Sequence, residues 1–371
     1  MILENRAALE FVLTLRRRWA DTLYPRLRGE YDADVGAGRS DTAEGVADRV
    51  HALPSYEAFA WLERQSQKML WRAAMDAVGA EESARGIKAV GRAEGDASAP
   101  AGEQELPGHV GHDTGPATVE LDPELRLPGW YTEWDIHVQP GGVWSSAAAA
   151  RVYELGAKLV MLGDNDDYKF HRLFVETAIP RRSYGRIVDL GCGFGKSTWP
   201  LKRVFPEAEV IGVDLAAPCL RLAAERCNGQ GLAIRFRQAD AGATGLESNE
   251  AGLVTATMLV HELPLEVLAA TLREAARLLA PGGLLRILDF QFTGDPVRDL
   301  AMREHGARNN EPFMPVMMAA DTLAMAEAAG LRNVRWTAFD ERDVGRLPEL
   351  SWPKRAEWHF PWAVLEAEKG T

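Results

Sequence analysis

The stretch "VDLGCGFGKST", residues 188–198, has the residue types of a ligand-binding turn. An apolar run leads to Asp189, then Gly191, Gly193 and Gly195, then Lys196-Ser197-Thr198. A phosphate loop needs glycine, four residues, then Gly-Lys-Ser/Thr. Counting back from Gly195-Lys196, that first glycine falls on Leu190, and starting from Gly191 leaves the loop one residue short. A dinucleotide turn needs G-x-G-x-x-G, and its last glycine position holds Lys196. Asp189 would also oppose either anionic ligand. The remaining pattern, acidic-x-G-x-G-x-G, suits a zwitterionic amino acid joined to an adenosine without phosphate. A carboxylate at the strand tip can face an ammonium group, and glycines let the main chain turn sharply and approach the ligand.

Three further groups of residues could do chemistry. His261 and Glu262 follow the apolar run 252–258 directly. An imidazole with an ordinary pKa near 6.5 suits a general base. The same histidine could line a ligand pocket or cap the next helix, with Glu262 as a first-turn charge. The segment 291–318 carries His305, Asn309, Asn310 and Glu311, either a polar substrate wall or the solvated side of a helix-loop-helix. In "DIHVQPGGVW", His137, Gln139 and Trp144 flank a Pro-Gly-Gly turn. That segment reads either as a lid that excludes water from a site or as aromatic glue for the N-terminal helices. His109 and His112 lack a third nearby ligand and read as solvated, and no metal site is expected.

The elements that must position these residues change along the chain. Apolar spacing predicts N-terminal helices within 1–78, over 6–28 and 54–78. Arg16-Arg17-Arg18 reads as the solvated face of the first of these. Residues 79–127 are rich in Ala, Gly, Glu, Asp and Pro and read as a flexible linker or long loop. Residues 128–180 read as a helical lid or connector. From 181 to 371 strand and helix alternate, with strands at 186–190, 209–214, 233–238, 252–258, 284–290, 333–339 and 362–369. That alternation predicts a mostly parallel sheet covered on both faces, with the last two strands as an antiparallel hairpin at its edge.

From about 185 to 368 the pattern resembles the class I S-adenosylmethionine-dependent methyltransferases, of the bacterial small-molecule type. Asp189 to Gly195 match the family's first motif. Asp214 ends the second strand, "QADA" follows the third, "LVTATMLVHELP" matches the fourth strand and its turn, and "LREAARLLAPGGLLRILDF" matches the helix, Pro-Gly-Gly turn and fifth strand. The resemblance implies an α/β fold with a seven-stranded, mostly parallel, doubly wound (Rossmann-like) sheet and a helical N-terminal region. It implies S-adenosyl-L-methionine as cofactor, held by Asp189, Gly191, Cys192, Gly193, Asp214, Leu215, Asp240, Ala241 and Leu259. Asp214 would accept from both ribose hydroxyls, which geometry also favours because two acceptor oxygens match two adjacent donors. Asp240 would meet the adenine amino group. Methyl transfer by in-line displacement to a small molecule is the expected reaction, with His261 and Glu262 as candidate catalytic residues. Trp144, His137, Gln139, His305, Asn309, Asn310 and Glu311 are the candidate substrate contacts. A protein or peptide methyltransferase and a non-catalytic S-adenosylmethionine-binding protein are the alternatives.

Composition narrows the partners. The chain has 371 residues and a formal net charge of −12, so the average surface repels a phosphate polymer and no nucleic-acid partner is expected. No run of about 18 uncharged apolar residues exists, so no membrane span is expected. Three cysteines without metal spacing fit a reduced, cytoplasmic protein. The N-terminal helices leave room for a homodimer.

Overall fold

A computed structural model describes residues 3–35, 42–84, 116–162, 166–342 and 344–370. His109 and His112 lie outside them.

The apolar runs Ile187, Val188, Leu190 and Val210, Ile211, Val213 are almost wholly buried, as strands covered on both faces require. They belong to one sheet of nine strands: β1 (Thr118–Glu120), β2 (Arg186–Leu190), β3 (Glu209–Asp214), β4 (Arg235–Gln238), β5 (Ala251–Thr257), β6 (Leu279–Phe290), β7 (Leu331–Asp340), β8 (Gly345–Arg346) and β9 (Trp362–Lys369). The spatial order is β1-β4-β3-β2-β5-β6-β9-β7-β8. Strands β1 to β6 pair in parallel, while β9 runs antiparallel to both β6 and β7. The chain order reverses between β2 and β5, which opens a crevice at their carboxyl ends.

The seven expected strands are present, with ends shifted at most of them, and the last two pair antiparallel toward one edge. Two more strands correct the expected count. β1 has three residues and β8 two, too short for any periodicity to register. β1 also corrects the linker expectation, because it lies inside 79–127 and covers the edge strand β4. The helix Tyr56–Ala84 likewise runs past residue 78.

The N-terminal region is helical, with Leu3–Arg18, Trp19–Leu23 and Tyr24–Val35 following one another. The first of these packs along Tyr56–Ala84. Trp19, Tyr24 and Phe59 cluster against Trp358 and tie these helices to the sheet domain. Arg16 is not on a solvated face. It is buried, donating to Gln67 Oε1 and to the Val160 carbonyl. Burial lowers its pKa to about 10. The helix Ala147–Val160 approaches Tyr56–Ala84 so closely that a Cβ on Gly156 would lie 2.1 Å from the Trp71 ring. Among the described residues no helix is long and apolar enough to cross a membrane.

Candidate active site

The turn after β2 bends through left-handed backbone at Gly191 (φ 67°), Gly193 (φ 52°) and Gly195 (φ 88°), a region that favours glycine. At Gly191 the approach is also close: a Cβ there would meet the Leu259 side chain at 2.6 Å. Gly191 and Gly193 form one wall of a cleft of about 990 Å³, measured to its open mouth. Asp214, Leu215, Asp240 and Ala241 line it from the ends of β3 and β4, and Met258, Leu259 and Glu262 from the end of β5. Trp130, Trp134 and Trp144 close it from the 129–144 segment.

Asp214 is held in place by main-chain donors. Its Oδ2 accepts from Gly193 N–H at 2.8 Å and its Oδ1 from Ala216 N–H at 2.8 Å. Each oxygen keeps a lone pair for a ligand hydroxyl. Burial raises its pKa to about 6, the two N–H groups pull the other way, and Glu262 and Asp189 add to the rise. Asp240 Oδ1 accepts from Gly242 N–H at 2.7 Å. Two buried polar groups at this cleft, Trp144 Nε1 and Thr257 Oγ1, have no hydrogen-bond partner among the described residues. Buried polar atoms are rarely left in that state unless a ligand or water completes them.

A second cavity, of about 640 Å³ measured to its open mouth, adjoins the first. The two share His137, Tyr153, Lys196, Met258 and Glu262, so the throat where they adjoin is lined by these five residues. Phe290, Phe360 and Trp362 make an aromatic wall, with Phe290 and Trp362 stacked at 4.2 Å between centroids. Gln67 and Trp71 of the helix Tyr56–Ala84 close the cavity from the N-terminal side.

His137 sits in left-handed backbone (φ 58°, ψ 15°), as does Val138 after it (φ 54°), which is costly for a β-branched residue. The surroundings impose that conformation. The His137 carbonyl accepts from Gln67 Nε2 and Trp71 Nε1. Its ring bridges two carboxylates, Nδ1 to Glu311 Oε1 at 2.7 Å and Nε2 to Glu262 Oε1 at 3.0 Å. Burial opposes its charge, but Glu311 and Glu262 outweigh that and raise the pKa to about 10. Lys196 lies 3.2 Å from Tyr153 Oη, and burial lowers its pKa to about 8 despite Glu262 nearby.

His261 is 2 % exposed and faces the second cavity, not the first. Its Nδ1 lies 2.7 Å from Asp289 Oδ1, at the end of β6. Asp289 is itself fixed by Val260 and Phe290 N–H. With Nδ1 bonded to Asp289, Nε2 is left facing Glu262 at 3.9 Å, beyond hydrogen-bond distance. Burial opposes protonation, yet Asp289, with Glu262 and Glu311 beyond, holds the pKa above the ordinary value.

This crevice sits in a segment that matches a known family model. Residues 187–283 match the family described as Methyltransferase domain. The chain is 35% identical over 138 residues to a demethylmenaquinone methyltransferase of Thermus thermophilus, covering 37% of this chain and 60% of that protein. It is 33% identical over 162 residues to a trans-aconitate 2-methyltransferase of Methylobacterium nodulans, covering 44% of this chain and 57% of that protein. It thus spans less than two thirds of either relative. The order and spacing of the motifs, the sheet and these matches agree. The chain carries a class I S-adenosylmethionine-dependent methyltransferase domain.

The methyltransferase domain gathers most of the expected residues, and the exceptions are physical. Gly191, Gly193, Asp214, Leu215, Asp240, Ala241 and Leu259 line the first cavity together with Trp144. His261, His305 and Glu311 line the second, and His137 and Glu262 line both. Asp189 lines neither. It is fully buried and accepts from Ser197 Oγ (2.6 Å), Thr198 Oγ1 (2.7 Å) and Thr255 Oγ1 (2.9 Å). It therefore ties the glycine turn to β5 and does not face an ammonium group. Burial raises its pKa, and the three hydroxyls oppose the rise. The Cys192 side chain also misses the cleft; it is packed in the core beside Gly212. Gln139 is buried against the Ala149 carbonyl, Asn309 against the His305 carbonyl, and Asn310 donates to the Asp135 carbonyl from the outer surface. None of these three lines either cavity.

Sequence reasoning missed Tyr131, Tyr153 and Lys196, and the chamber residues Gln67, Trp71, Phe290, Phe360 and Trp362. Lys196 had a signal, since it occupies the last glycine position of the dinucleotide turn. The chamber residues had none, because they come from segments hundreds of positions apart. Glu63 is a further case. Buried on the helix Tyr56–Ala84, it holds His305 and Arg308.

Proposed function

We propose that the chain transfers a methyl group from S-adenosylmethionine to a small molecule held in the second cavity. The observation that carries this reading is the pair of adjoining cavities that share five lining residues, with the family's cofactor residues on one side and His261 on the other. The cofactor suits the first cavity: Asp214 offers two acceptor oxygens, the glycine turn leaves no Cβ in the way, and Trp144 Nε1 and Thr257 Oγ1 lack partners. Asp214 would accept from the ribose hydroxyls, Asp240 would meet the adenine amino group, and Leu215 and Ala241 would flank the ring.

When bound, the cofactor supplies an activated sulfonium methyl. The chain's own residues do the rest. The 129–144 segment covers the cleft and keeps water from it. The His137 bridge between Glu262 and Glu311 fastens that segment to the core, so Glu262 serves as a positioning residue more than a base. His261, oriented by Asp289, takes the proton from the nucleophile at Nε2. The homodimer expected through the N-terminal helices would use their exposed Phe11 and Trp61.

The test is incubation of the full chain with methyl-labelled S-adenosylmethionine and a deproteinised metabolite extract. A labelled product of low molecular mass is expected. Label appearing in protein or peptide instead would favour the second kind of acceptor, and no transfer with cofactor bound would favour a binding protein.

A further inference from the structure

The second cavity has an uneven supply of polar groups, and that restricts what can occupy it. Most are committed to one another. Glu262 and Glu311 hold His137, Glu63 holds His305, and Gln67 joins Arg16 to the His137 carbonyl. Among the described residues no arginine lines the cavity, so they offer no forked donor of the kind that carboxylates and phosphates call for. Lys196 reaches Tyr153 Oη, and two further groups are left with no bond. His261 Nε2 has no hydrogen bond, and the buried indole N–H of Trp362 has no partner among the described residues. They accompany an aromatic wall that His261 meets edge-on at Phe290 (4.9 Å) and His305 at Phe360 (5.2 Å).

The throat adds a second restriction. Its two cationic side chains, His137 and Lys196, outnumber its one carboxylate, Glu262, where the acceptor must meet the methyl donor, itself a cation. A cationic amine there would be repelled, whereas negative charge developing on oxygen would be stabilised. An amine with a free lone pair also has no use for a base, while a hydroxyl does. An aliphatic alcohol is a far weaker acid than a phenol and leans more heavily on the base. A phenol, ionising near pH 10 like tyrosine, is within its reach.

We propose that the second cavity binds an uncharged, planar aromatic alcohol, seated against Phe290, Phe360 and Trp362, whose hydroxyl is methylated after losing its proton to His261. This rests on the cofactor reading above. The aryl oxygen forms its bond to the methyl carbon as the carbon–sulfur bond breaks. That pair stays on sulfur, giving the neutral thioether, and the hydroxyl proton passes to His261 Nε2.

Three probes on one naphthalene ring test it: 2-naphthol, 2-naphthoate and 2-naphthylmethylamine, titrated into the full chain with S-adenosylhomocysteine bound. Naphthol is expected to bind at least tenfold tighter than either charged probe, and to give 2-methoxynaphthalene when S-adenosylmethionine replaces the product. Tighter binding of the carboxylate or the ammonium, or no preference among the three, overturns the proposal. His261→Asn keeps a polar group toward Asp289 but removes the base. Its rate on naphthol at neutral pH should fall about a hundredfold or more. The loss should shrink as pH approaches the naphthol's own ionisation, with S-adenosylhomocysteine affinity retained. A loss that is the same at every pH overturns the base. Failure of S-adenosylhomocysteine to bind the unmodified chain would instead refute the cofactor reading, so the two failures are distinguishable.

Discussion

Replacing Asp214 by alanine isolates the cofactor half of the site. The carboxylate accepts one main-chain N–H on each oxygen at 2.8 Å and leaves a lone pair on each for the ligand. Hydrogen bonds to a charged acceptor contribute about 1.5–3 kcal/mol apiece. Loss of two from a ribose diol therefore costs about 3 kcal/mol at the low end, or roughly 150-fold in dissociation constant. The variant also leaves the Gly193 and Ala216 N–H groups without their acceptor, so the turn itself should loosen. Asp214→Asn keeps one acceptor oxygen and should fall between. The assay is calorimetric titration with S-adenosylhomocysteine, beside a thermal melt to show the variant is folded. The ordinary chain should also respond to acid. With the Asp214 pKa raised to about 6, its affinity should be level above that pH and decline below it, where the carboxyl protonates and loses acceptor strength. Affinity within threefold of the parent in a folded Asp214→Ala variant would refute the reasoning.

Three further outcomes follow from the geometry. Asp289→Asn removes the anion that holds the His261 pKa up, leaving Glu262, Glu311 and the opposing cation Lys196 around the ring. The acid limb of kcat/KM, which should lie above pH 6.5 in the parent, should move to lower pH, and an unmoved limb would count against the His261–Asp289 pair. Gly156→Ala should lower the melting temperature, because its Cβ would sit 2.1 Å from the Trp71 ring. Overpacking of this kind costs about 1–3 kcal/mol, and the gain in helix propensity, about 1 kcal/mol, offsets only part of it. His137→Ala unfastens the 129–144 segment from Glu262 and Glu311 and strands one half-buried and one buried carboxylate. Stopped-flow release of S-adenosylhomocysteine should quicken at least tenfold, and unchanged release would mean the bridge does not hold the segment closed.

The cofactor half was legible because it is local. Each strand end carries its own short signal, and the sheet places Asp240, Asp214, Gly191 and Leu259 side by side around one crevice. Where that reading failed, the cause was side-chain direction. Asp189 and Cys192 stand beside residues that face the cleft, yet one turns to Ser197, Thr198 and Thr255 and the other into the core. No residue pattern distinguishes those outcomes before the turn is built. The acceptor half is non-local. Gln67 and Trp71 reach it from a helix that reads only as amphipathic, Trp362 from a strand that reads only as part of an edge hairpin, and Phe360 from the loop just before that strand. The segment 291–318 was a partial success: His305 and Glu311 turn inward, while Asn310 turns out.

Equilibrium dialysis of the full chain against radiolabelled S-adenosylmethionine, with unlabelled NADH or ATP as competitor, addresses the central claim most directly. Stoichiometric retention of label that neither nucleotide displaces is the predicted result. Displacement by either, or no retained label, would contradict an adenosyl-amino acid site in the crevice between β2 and β5.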